Sequence, residues 1–210
     1  MSREMNDVRQ AVLVLAARVE LQLQRAINAY FGGDAAIARL VIGADADVDM
    51  LEQRLDDACI AALGAGALAA GDMRFVVAAM KVGTVLERIG DEAAGMARAA
   101  IAPHAPNVEL APLVGHVRAM LNDAVEALGR LDVLLAARVA ADGRHVAAIV
   151  ERTLRRLAAG PLADTARLEQ ALHDGEAVRA LERIAAQIRS IARMVRYAAG
   201  EVAQPESAAA

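Results

Sequence analysis

Apolar residues return every three or four positions along almost the whole chain, and that period dictates long amphipathic helices rather than strands. From Met5 the stripe runs through Val8, Val12, Leu15, Val19, Leu23, Ala26 and Tyr30, predicting one long helix that ends near Gly32-Gly33. Asp34 is placed to cap the next. A second stripe, Val41, Ala44, Val48, Leu51, Leu55, Ala58 and Ala62, predicts a helix over 35–63. A third, from Phe75 through Ala79, Val82, Leu86, Ile89, Ala93 and Met96 to Ala100, predicts one over 72–101, closed by Pro103 and Pro106. The aromatic share is 2% against 57% hydrophobic, with no tryptophan, so the core is built from Ala, Leu and Val. That composition suits closely packed helices and excludes sandwiches, propellers and aromatic nucleic-acid platforms.

The rest of the chain predicts three more helices. One opens at Leu110 or Pro112 and runs through Leu128; one begins near Leu131 and reaches Ala159; the last follows Gly160-Pro161 and ends near Gly200. Breaks are expected around Asp142-Gly143 and Gly175, and fraying over 201–210. Leu86-Glu87-Arg88-Ile89 reappears as Leu181-Glu182-Arg183-Ile184, 95 positions later, and Ala97-Arg98 reappears as Ala192-Arg193 at the same offset. The repeat predicts an all-α fold of two tandem antiparallel three-helix bundles, residues 1–102 and 109–200.

Charge and cysteine usage narrow the function classes. With 23 basic and 27 acidic residues the net charge is −4, and no basic run exceeds Arg155-Arg156, so a nucleic-acid partner is excluded. No segment is apolar for long enough to span a bilayer, and the N-terminal AVLVLAA run reads as one face of a helix rather than a leader. A cytoplasmic protein without an integral membrane segment is expected. The single cysteine, Cys59, excludes disulfide and CxxC chemistry within the chain and reads as a buried thiol. His104, His116, His145 and His173 are scattered and read as loop or helix-surface residues. Walker, dinucleotide, HExxH and GxSxG motifs are all missing, and no catalytic residue is assigned.

The informative residues are acidic. Asp45, Asp49, Glu52 and Asp56 are spaced four, three and four apart, one position beyond the apolar stripe, which forms a ladder of carboxylates along the border of the buried seam. Glu87 and Asp91 form a matching pair on the next helix, bracketed by Gly83 and Gly90, whose bare backbones suit close helix approach or space for a ligand. Antiparallel helices can bring Asp45, Asp49, Glu87 and Asp91 to one rim. An all-oxygen set suits Mg, Ca or Mn and accommodates iron or zinc. The competing reading of each acidic pair is a solvated helix face.

These segments also carry a family resemblance. Met80-Lys81-Val82 followed by Leu86-Glu87-Arg88-Ile89-Gly90-Asp91-Glu92-Ala93 resembles the third-helix signature of the PhoU phosphate-transport regulators, LK-x-x-x-D-LERIGDHA-x-NIA. Asp45-x-x-Val48-Asp49-x-Leu51-Glu52-x-x-Leu55-Asp56 is similar to the family's second-helix signature, and Met73-Arg74 to the end of its DLR element. The resemblance implies two three-helix bundles, and an iron or zinc cluster held in the first by Asp45, Asp49, Glu87 and Asp91. Glu52 and Asp56 flank that set. The family histidine is Glu92 here, its asparagine Gly95 and an acidic position Val85. In the second half Ala186, Gln187 and Arg193 replace expected Asp, His and Glu, and Val146 replaces the acidic partner of Asp142, so that site reads as degenerate. Glu182 reads as a surface or arginine-paired residue.

The implied function is non-enzymatic regulation of phosphate uptake and phosphate-starvation signalling. The implied partners are a phosphate ABC transporter and a sensor histidine kinase. A homo-oligomer, as a dimer, is expected, cytoplasmic or peripheral to the inner membrane through those partners. The alternatives are a structural or oligomerising bundle without metal-dependent signalling, and a metal-storage or metal-carboxylate enzyme.

Overall fold

The structure, a computed structural model, describes residues 2–66, 68–101, 105, 107–159 and 165–201. All regular structure among them is helical: α1 (Arg3–Gly32), α2 (Ala35–Gly43), α3 (Asp45–Gly64), α4 (Ala70–Ala99), α5 (Ala111–Arg130), α6 (Val133–Ala159) and α7 (Thr165–Ala198). A single 3₁₀ turn, Val108–Leu110, leads into α5. The closing prolines 103 and 106, His104, Gly160-Pro161 and 202–210 lie outside the described residues.

The helix ends follow local chemistry. The Ser2 hydroxyl accepts the Met5 N–H at 3.3 Å to open α1, and Gly33 ends it at φ 61°, a left-handed conformation glycine adopts without a Cβ penalty. One carboxylate oxygen of Asp34 accepts the N–H groups of Ala36 and Ile37 at 2.9 and 3.0 Å, as its position foretold. Asp132 likewise accepts the Leu135 N–H at the start of α6.

Two expectations about continuity are corrected. The stretch over 35–63 is not one helix: Ala44, at φ −89° and ψ 0°, turns the chain between α2 and α3, which lets the short α2 lie across α1 and α4. Conversely, α6 runs unbroken through Asp142-Gly143 and α7 through Gly175. Gly143 is a close-approach residue, since a side chain there would stand on the Arg189 side chain of α7.

Helices α1, α3 and α4 pack on one another, as do α5, α6 and α7, and the broadest packing joins the halves through α4 and α7. Those two run antiparallel: His173 Nε2 lies 2.9 Å from the Ala99 carbonyl oxygen, Arg183 meets Glu92, and Gly200 lies beside the Arg74 guanidinium. Buried alanines line both, Ala78, Ala79, Ala93 and Ala97 on α4 and Ala177, Ala185 and Ala192 on α7. Side chains this small let the backbones approach, which is how an Ala-rich chain fills its core without aromatic bulk.

Candidate functional site

The acidic ladder lies along the seam between α3 and α4. Val48, Leu55 and Cys59 turn into the core, which leaves Asp45, Glu52 and Asp56 half-buried at the border and Asp49 exposed. On α4, Leu86, Ile89 and Gly90 are buried while Glu87 is half-buried and Asp91 exposed. Both bracketing glycines serve helix approach. A methyl group on Gly83 would stand 2.9 Å from Leu55 Cδ2, and one on Gly90 would stand 3.5 Å from Val48 Cγ1 and from Gln22 Oε1.

The carboxylates influence one another across the seam. Burial, then the charges of Asp91 and Asp49, raise the Asp45 carboxyl above its ordinary value, against a hydrogen bond from Gln22 and the charge of Arg98. Burial likewise raises Glu87, followed by the charges of Asp91 and Glu52, a hydrogen bond with Asp91, and the charge of Asp49. Desolvation and like charges both disfavour the ionised form, so the two effects reinforce.

Gln22, from α1, forms the floor of this seam and is 1% exposed. Its Nε2 donates to the Gly90 carbonyl at 3.3 Å, while its buried Oε1 has no hydrogen-bond partner. A buried acceptor left unsatisfied costs about 1–3 kcal/mol, so this oxygen is a strained point beneath the carboxylates. Gln22 stands next to Leu23 of the first stripe without belonging to it, and the spacing gave no sign of this burial.

The expected iron or zinc cluster is overturned. Among the described residues no group of three or more His, Cys, Asp or Glu side chains converges so as to hold a metal ion. The carboxylates meet at most as a pair: Glu87 and Asp91 share a hydrogen bond, while Asp45, Asp49 and Glu52 act across the seam through their charges alone. Glu92, at the family's histidine position, is also turned away. Its two carboxylate oxygens accept from Arg183 of α7 at 2.5 and 2.7 Å.

A second polar group was hidden from the sequence. Asp174 of α7, 2% exposed, accepts from Tyr30 Oη at 2.8 Å, Asn107 Nδ2 at 2.8 Å and Gln170 Nε2 at 2.9 Å. The His173 ring stacks on Tyr30 with centroids 5.2 Å apart, so it is a half-buried packing residue rather than a surface one. Burial, then the hydrogen bond and charge of Asp174, push the Tyr30 hydroxyl far above its ordinary value, which keeps it a donor. The signal available was Tyr30 itself: a tyrosine inside an apolar stripe needs a partner for its hydroxyl.

The remaining candidates carry no reactive arrangement. Cys59 is fully buried, and burial followed by the charge of Asp56 lifts its thiol to about 11, leaving the nucleophilic thiolate scarce. His116 and His145 are exposed, their rings 5.4 Å apart edge to face. Glu182 pairs with Arg179 at 2.7 Å. A groove of 610 Å³ lies between α4 and α7 beside Met96, Leu172 and Gly175, with the Arg183–Glu92 pair on its polar rim. No helix of the described residues is long and apolar enough to cross a membrane.

Comparison with known proteins adds to this geometry. A family model described as "PhoU domain" matches residues 12–100 and again residues 110–195. The phosphate-specific transport system accessory protein PhoU homolog of Pseudomonas aeruginosa is 33% identical over 200 residues, 92% of this chain and 83% of that protein. The PhoU accessory protein of Escherichia coli K12 is 31% identical over 199 residues, again 92% of this chain and 83% of that one. In three dimensions the chain superposes on the crystal structure of Pseudomonas aeruginosa PhoU with a TM-score of 0.89 at 32% identity, covering 95% of this chain and 98% of that one. The Streptococcus pneumoniae PhoU structure, at 22% identity, shares the fold with a TM-score of 0.87.

Proposed function

The chain belongs to the PhoU family, whose role in phosphate homeostasis is regulatory and non-catalytic, and from that premise we propose that it links a phosphate ABC transporter to a sensor histidine kinase through protein contacts. The observation that carries the reading is the family match to both halves of the chain. The curated relatives are accessory proteins of phosphate-specific transport, which supports the transporter as one partner.

Within this proposal the protein acts in the cytoplasm, peripheral to the membrane through its partners, and self-associates. Residues 1–102 and 109–200 act as two repeated units joined through α4 and α7. The test is genetic: deletion of the gene raises phosphate-responsive kinase output under phosphate-rich growth, and wild-type protein restores repression. Unchanged output on deletion would overturn the regulatory link.

A further inference from the structure

We draw no further inference here: the strongest candidate, the apolar groove between α4, α6 and α7 lined by Met96, Leu154, Leu172 and Gly175, has rim arginines that already pair within the chain, Arg183 with Glu92 and Arg179 with Glu182, and nothing in the structure shows what covers it.

Discussion

Gly83 and Gly115 are both helical glycines, yet they give opposite expectations. A methyl on Gly115 of α5 meets nothing within 4 Å, so Gly115→Ala stabilises by about 0.5–1 kcal/mol through helix propensity alone. At Gly83 the same methyl stands 2.9 Å from Leu55 Cδ2, and Leu55 is fully buried, so the core around it must shift. Overpacking of about 1–3 kcal/mol outweighs the propensity gain, so Gly83→Ala is expected to be net destabilising in urea titration. Glu87 supplies a pH dependence whose sign is fixed by its surroundings. Its folded carboxyl lies above the ordinary 4.5, so the folded chain holds that proton more tightly than the unfolded one. This contribution is present at low pH and is lost as pH rises through the folded value. Glu87→Gln, which never ionises, is therefore more stable than wild type at neutral pH by about 0.3–0.5 kcal/mol, and the advantage fades below pH of about 4. Denaturant midpoints measured across that range check it, and an advantage that grows on acidification would contradict the assigned electrostatics.

The element scale turns on where helices stop. Leu131 ends α5 at φ 52°, the one described non-glycine residue with positive φ, and its side chain packs partly against the core. Left-handed backbone costs a leucine about 1–2 kcal/mol, which its packing offsets. Leu131→Ala loses the packing and keeps the strain, whereas Leu131→Gly loses the packing and relieves it. The glycine variant should be the more stable of the two by about 1 kcal/mol by thermal melts, although glycine is ordinarily the worse residue. The stripes of α1, α4 and α5 were legible in the sequence because burial on one face imposes the helical period directly. The turn at Ala44 was not, since Val41, Ala44 and Val48 keep the same period through it; the break comes from α2 lying across α1 and α4, a tertiary effect. For the same reason the acidic edge could be read from spacing while its failure to converge on a metal could not. Spacing fixes positions along one helix, and convergence depends on the register between two. The Tyr30–Asp174 bond, joining residues 144 apart, lay beyond any local pattern.

At the scale of the whole molecule, the two halves share a single hydrophobic cluster, from Met5 to Ala198. Its middle is the α4–α7 pair, whose antiparallel register runs the two repeated Leu-Glu-Arg-Ile segments past each other. At the end of that pair the Asp174 node ties α1, Asn107 and α7 together, a second connection between the halves. A repeat joined only by a linker would unfold in two steps; one whose largest interface lies between its halves unfolds as a unit. Ile184 of α7 is fully buried in this shared cluster, so Ile184→Ala removes about 2–5 kcal/mol. That loss falls on both halves together if the shared core governs folding. Calorimetry of the wild type should give one transition, with calorimetric and van't Hoff enthalpies equal. In Ile184→Ala that transition moves to lower temperature and remains single, and amides in α1 and α6 lose exchange protection in step. Retained protection in α1 beside early exchange in α6 would show instead that the halves fold independently and that the α4–α7 contact is only an interface between them.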